Sequence, residues 1–195
     1  MYFSKKKRIP SSAGFTVIEM LVSIAVFFTV VVLAMTSLLA VMDASQKARA
    51  FNTVMSNMSV VLDRMAREVR LGRSYYCGIS GGVNNTRNCL YGSVPATSFS
   101  FTNKDGERVL YSGPANANDT SMYRRVFGYQ NEILNGSTVE IESFRVYVEG
   151  SGSGASDSKQ PLVTFVIRGQ AKSNKTSTRA PFEIQTTVTP RQFDR

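Results

Sequence analysis

Hydrophobic positions run along this chain in three different rhythms. From Phe15 to Met42 they are nearly continuous, and Glu19 is the single charged residue in the run. A stretch of that kind exceeds the roughly 20 apolar residues needed to span hydrocarbon, and it predicts a transmembrane helix. From Asp43 to Gly72 the pattern turns amphipathic. Ala48, Phe51, Met55, Met58, Leu62, Met65 and Val69 recur at alternating steps of three and four, while Lys47, Arg49, Asn52, Asp63, Arg64, Arg67, Glu68 and Arg70 take the other faces. Neither Pro nor Gly interrupts Phe15 to Leu71. The pattern therefore predicts one helix of roughly 57 residues, about 85 Å at 1.5 Å per residue.

After Gly72 the period changes to short alternating runs parted by turn residues, the signature of strands. Ser98 to Thr102 and Arg108 to Ser112 flank Asn103-Lys104-Asp105-Gly106-Glu107, where Asp-Gly is expected to supply the positive φ angles of a hairpin turn. Met122 to Tyr129 is a third candidate strand. Val139 to Val148 is a fourth, with a slip of phase at Ser143. Leu162 to Ile167 and Phe182 to Thr189 complete the set, and the Gly/Ser stretch from Gly150 to Ser158 reads as a solvent loop. The predicted class is α+β. A long N-terminal helix, transmembrane and then amphipathic, carries one antiparallel sheet of about four to six strands on its apolar stripe, with the other sheet face wet.

Charge sharpens this picture at the N-terminus. Of the nine excess positive charges, Lys5, Lys6, Lys7 and Arg8 supply four, so the remainder is only mildly basic. Nucleic acid is thus an accessory partner that charge alone does not support. The same cluster lies directly before the apolar run, so residues 1 to 14 are expected to stay cytoplasmic and everything after Met42 to lie across the membrane. A secretory signal would have a shorter apolar core with a small-residue cleavage site behind it. Glu19 also argues against a plain anchor, because an ionisable group inside an apolar span is costly and by default functional.

Lys5-Lys6-Lys7-Arg8, followed by Gly14-Phe15-Thr16-Val17-Ile18-Glu19-Met20-Leu21-Val22-Ser23, resembles the class III prepilin signal of type IV pilins and type II secretion pseudopilins. The shared features are a basic leader, a Gly before the scissile bond, a Phe after it, a Glu four residues beyond the Phe, and an apolar run continuing past the Glu. The resemblance implies that a prepilin peptidase cuts after Gly14 on the cytoplasmic side and methylates the new amine of Phe15. It also implies a pilin-like ladle assembled with other pilin or pseudopilin subunits on an inner-membrane platform, in contact with membrane lipid. The chain then divides into a leader (1–14), a transmembrane and filament-core segment (15–42), an amphipathic segment (43–72) and a β-rich head (73–195).

The chemistry fits the same cut. Glycine lets an extended peptide enter a narrow cleft, and Pro10 with Ser11-Ser12-Ala13 keeps the leader non-helical up to it. A free Phe15 amine in an apolar setting needs a partner, which Glu19 can supply to its own chain or to a neighbouring subunit in assembly. A Glu19 that merely snorkels to the interface is the plainer alternative. Many pilins carry a Pro or Gly in the lower helix. This chain has Met35-Thr36-Ser37 there instead, so melting of the helix on assembly is not implied. Over the whole chain the order of elements, ending in Phe182 to Arg191, looks like minor pilins and J-type pseudopilins. Pilus, competence and secretion roles all remain open, as does a membrane-tethered binding module.

Other chemistry was sought and set aside. With no His in the chain, the pattern Gly78-Ile79-Ser80-Gly81-Gly82 cannot complete a hydrolase triad. No enzyme, cofactor or metal is expected. Asn116, Asn118 and Asp119 form an oxygen-rich cluster that reads as a turn or as a calcium site without the EF-hand Glu. Tyr123, Arg125, Phe127 and Tyr129 share one face of a strand with Arg124 opposite, which fits sheet packing or a single-strand nucleic-acid surface. Cys77 and Cys89 enclose a Gly- and Asn-rich loop, compatible with a disulfide in an oxidising compartment or with two free thiols.

Overall fold

The structure is a computed structural model that describes residues 14–80, 82–90, 92, 94–152, 159–173 and 179–191. The basic leader with Pro10, the Gly81 position of the Gly/Ser motif and most of the Gly150 to Ser158 loop lie outside the described residues. The chain forms two compact units, Met1–Asp43 and Ala44–Arg195. Its elements are α1 (Val17–Arg70), β1 (Arg73–Cys77), β2 (Ser98–Thr102), β3 (Arg108–Ser112), β4 (Tyr123–Val126), β5 (Glu132–Ile133), β6 (Val139–Glu149), β7 (Leu162–Ala171) and β8 (Pro181–Val188). The α+β class is thus observed.

In α1 the buried positions are Val54, Met58, Val61, Met65 and Val69. Met58, Met65 and Val69 were expected there, but the stripe is rotated towards the valines. Ala48 is exposed, Phe51 is 41% exposed, and Met55 and Leu62 are half-buried. A strict three-four repeat drifts around a 3.6-residue helix, and the packing follows the compact β-branched side chains instead. The helix closes with Leu71 N–H donating to Arg67 C=O at 3.3 Å and Gly72 N–H to Val69 C=O at 3.0 Å. Glycine is required at 72 because a Cβ there would press into the Phe101 ring.

The strands make two sheets, correcting the expectation of one. The first has order β1-β2-β3-β4-β5 and the second β6-β7-β8, with every neighbour antiparallel. The long strand β6 cannot extend the first sheet, because its free edge is taken by isolated bridges from Cys89 to Val148 and from Ala96 to Val146. The slip expected at Ser143 is a register shift between Ile141 and Ser143. Opposite it, Gly169 has no room for a Cβ beside the Glu140 carbonyl oxygen. The β2–β3 turn differs from the expected one: Gly106 alone has positive φ (84°). Asn103 organises the rest, its Oδ1 accepting from Asp105 N–H (3.0 Å) and Glu107 N–H (2.8 Å).

One core joins the helix stripe to both sheets. A chain of aromatic contacts crosses it. Tyr75 stacks on Phe99 at 6.0 Å, Phe99 on Phe101 at 5.4 Å and Phe101 on Tyr111 at 6.0 Å. Phe99 then meets Phe165 of the second sheet edge-on at 5.5 Å, and Phe165 stacks with Phe144 at 5.9 Å. Rings of this size bury large apolar areas and favour such offset or edge-on geometries. They fix the spacing of the two sheets.

Candidate functional site

The residues to which the sequence resemblance assigns processing sit at the start of α1. Gly14, Phe15 and Thr16 are outside the helix, which begins at Val17. Thr16 caps it: Glu19 N–H donates to Thr16 Oγ1 at 3.3 Å. Thr16-Val17-Ile18-Glu19 thus has the sequence of a capping box, a signal the motif reading passed over. Phe15 is 78% exposed and Glu19 is exposed, and the Glu19 side chain makes no ion pair among the described residues. A carboxylate in the first turn also faces the positive end of the helix dipole.

Beyond Glu19 the helix presents apolar side chains on every face, with Leu21, Phe27, Phe28, Leu33, Leu38 and Leu39 all more than half exposed. Three of its hydroxyls are satisfied by their own helix. Ser23 donates to Glu19 C=O (2.7 Å), Thr29 to Ala25 C=O (2.8 Å) and Thr36 to Leu33 C=O (3.0 Å). Among the described residues, α1 is the one helix long and apolar enough to cross a membrane.

In the second unit Cys77 and Cys89 are joined in a disulfide with Cα atoms 5.9 Å apart. Cys77 ends β1 of the first sheet, while Cys89 exchanges main-chain hydrogen bonds with Val148 of β6 at 2.8 and 2.9 Å. The bond therefore ties the two sheets together. Closing a loop of this length removes about 3 kcal/mol of unfolded-state entropy. Cys77→Ser with Cys89→Ser, or reduction of the native protein, is expected to lower unfolding free energy by that amount, read as a lower denaturant midpoint. An unchanged midpoint after verified reduction would contradict this.

Against that loop, from strand β3, packs a residue the sequence reading missed. Arg108 is 2% exposed, and its five N–H groups meet five uncharged oxygens. Nε donates to Ser80 C=O (3.2 Å), Nη1 to Ser74 C=O (2.6 Å) and Thr102 Oγ1 (3.3 Å), and Nη2 to Asn85 C=O (3.2 Å) and Ser100 Oγ (3.1 Å). Burial pulls its pKa down to about 10, so it remains charged at neutral pH. The detectable signal was the row of small hydroxyls Ser98, Ser100 and Thr102 on β2, opposite a lone cation on β3. Ser80, the middle of the Gly/Ser motif, is buried and its Oγ accepts from Asn85 Nδ2 at 3.0 Å, so it is not presented as a nucleophile.

A second polar cluster pins α1 to the first sheet. Glu68 accepts from Arg124 Nε (3.0 Å) and from the Tyr111 hydroxyl (2.9 Å), and Arg64 grips Glu132 Oε2 at 2.9 Å through Nη2. Arg64 holds the Glu132 carboxyl below its ordinary range, and burial together with Glu68 pushes the Tyr111 hydroxyl far up. Arg124 is consumed here. Arg125 lies over the Phe127 ring at 5.1 Å, and Tyr123 donates to Asp119 at 3.0 Å. Arg124 and Tyr123 are therefore engaged within the protein, whereas Tyr129 is 69% exposed. Strand β4 also stops at Val126, because Gly128 turns the chain with φ 96°, so Tyr129 does not continue its face.

Around the Asn116 cluster, Asp119 Oδ2 accepts from Ala115 N–H (2.9 Å) and Oδ1 from Ser121 N–H (3.0 Å), while Asn116 Oδ1 accepts from Asn118 N–H (3.1 Å). These are turn bonds, and the main-chain donors, Ala115 first, hold Asp119 below its ordinary pKa. Among the described residues, no three His, Cys, Asp or Glu side chains gather as a metal site would need. Comparison with known proteins adds no relative: no family model, curated protein or solved structure matches this chain.

Proposed function

We propose that this chain is a structural, non-enzymatic subunit of pilin type, cut after Gly14 by a prepilin peptidase, methylated at Phe15 and assembled into a type IV pilus or related filament. What supports the reading is one arrangement. An apolar helix exposed on all faces begins with a single carboxylate, Glu19, and the Gly14–Phe15 bond lies ahead of the helix cap, where a protease can take it in extended form. In this reading the subunit waits in the cytoplasmic membrane with its N-terminus inside and its second unit outside, and the exposed helix exchanges lipid for other subunits on assembly. The pilin-like ladle belongs to the same proposal. A minor pseudopilin of type II secretion shares every one of these features.

The test is the intact mass and N-terminus of the protein from membranes of cells with and without a prepilin peptidase. A species starting at methylated Phe15 is expected only where the peptidase is present. An uncut species in both would sink the proposal. A membrane-tethered binding module that does not assemble further predicts that Glu19→Ala is silent, whereas filament assembly predicts normal processing with loss of incorporation into filaments.

A further inference from the structure

Where α1 ends, three segments distant in sequence bring cations together. Arg70 is in the last turn of α1, Arg73 opens β1, Lys104 lies in the β2–β3 turn and Arg191 follows β8. They border one hollow of about 300 Å³, together with Leu71, Gly72 and Asn103, and among the described residues no carboxylate lines it. The convergence is built by hydrogen bonds to main-chain carbonyls. Arg191 N–H donates to Arg70 C=O at 3.0 Å, and Gln160 Nε2 holds Pro190 C=O at 2.7 Å.

Cations are common at a helix C-terminus because they offset its free carbonyls. That explanation covers Arg70 but does not extend to Arg73, Lys104 and Arg191, which lie outside the helix. The Val69 and Gly72 carbonyls share the Tyr75 hydroxyl at 2.7 and 2.6 Å, and Leu71 and Arg191 N–H groups serve the Arg67 and Arg70 carbonyls. Nor are the charges cancelled nearby. Lys104 has only the exposed Asp105 at 4.0 Å, Glu107 is engaged by Asn103 at 3.1 Å, and Asp63 feels Arg70 but bonds Arg67. Arg73 and Arg191 make no ion pair among the described residues. Four like charges held around an open hollow repel one another, and an anion seated among them relieves that repulsion.

We propose that this hollow binds a polyvalent phosphate-type oxyanion, held by Arg73, Arg191, Arg70 and Lys104 through charge-assisted hydrogen bonds. Guanidinium forks suit the tetrahedral oxygens of such a group, and three arginines with a lysine match a ligand bearing several negative charges. The site is independent of the filament reading and stands or falls separately from it. Its ligand chemistry has two sources: a free polyphosphate ion, or the diester backbone of a nucleic-acid strand.

The experiment titrates sodium triphosphate into the full chain in nonionic detergent at low salt, followed by calorimetry. Saturable binding is expected, weakened about a hundredfold by Arg73→Gln with Arg191→Gln, since each lost charged hydrogen bond is worth about tenfold or more. Lys104→Gln alone is expected to weaken it less, and Arg145→Gln, a cation on β6, not at all. Matching thermal midpoints show that the variants fold. A second titration uses a 12-nucleotide oligo-dT. If it binds tighter than triphosphate and is displaced by it, the site is upheld with a diester chain as source; if it binds no tighter, the site is upheld for the free ion. Absence of saturable triphosphate binding, or equal affinity in the wild type and the Arg73/Arg191 double variant, would overturn the proposal.

Discussion

Arg108→Met is expected to lower the unfolding free energy of the second unit by about 5 kcal/mol, because it strands three main-chain carbonyls at roughly 1–3 kcal/mol each. Those carbonyls belong to Ser74, Ser80 and Asn85, and the same change removes the donors to Ser100 and Thr102. Methionine fills the volume of the stem, so the loss isolates the guanidinium. Arg108→Lys should cost about half as much, since an ammonium has three donors at one point and cannot span the set. The measurement is denaturant unfolding followed by tyrosine fluorescence, the chain having no Trp. Proteolysis within residues 78–88 should rise in parallel as the loop opens. A methionine variant within 1 kcal/mol of wild type would show that the loop does not depend on Arg108.

Glu68→Leu should cost about 4 kcal/mol, the range for removing one partner of a largely buried charge pair. Arg124, with a side chain 16% exposed, loses its nearest carboxylate, and Tyr111, which is fully buried, loses the acceptor of its hydroxyl. Glu132 lies 3.6 Å from Arg124 Nη1 and offers only partial replacement. Combining Glu68→Leu with Tyr111→Phe should recover part of the loss, because the second change removes the stranded hydroxyl, and a coupling of about 1 kcal/mol or more in the double-mutant cycle is expected. Strict additivity of the two changes would mean that the hydroxyl and the carboxylate do not act together.

Local pattern carried much of the fold. An uninterrupted run without Pro or Gly reads directly as α1, and alternation placed β2, β3 and the slip in β6, since each depends on near neighbours. Strand β1 escaped notice because Ser74 has a left-handed φ of 54° and a bulge breaks the alternation before Tyr76. Strand β5 is two residues long and has no period to detect. The split into two sheets depends on where Cys89 and Ala96 pair, and the Arg108 pocket gathers positions 74, 80, 85, 100 and 102. Such contacts are set by tertiary geometry and leave no periodic trace. Gly14, Phe15 and Glu19 are the opposite case, a purely local signature.

The margins of the two sheets bear on how this protein avoids the wrong partners. Open sheet margins are templates on which foreign strands grow into aggregates. Here β5 offers two residues, one of them the ion-paired Glu132; β1 is kinked and bridged at Tyr76 by Arg87; β6 is bridged by Cys89 and Ala96; and β8 starts with a proline. Under the proposed function, copies stored side by side with a bare apolar helix on each would be in constant danger of sticking to their neighbours indiscriminately. With three margins blunted and the fourth opened by a proline, self-association is channelled towards surfaces other than strand addition, and runaway β-pairing is disfavoured.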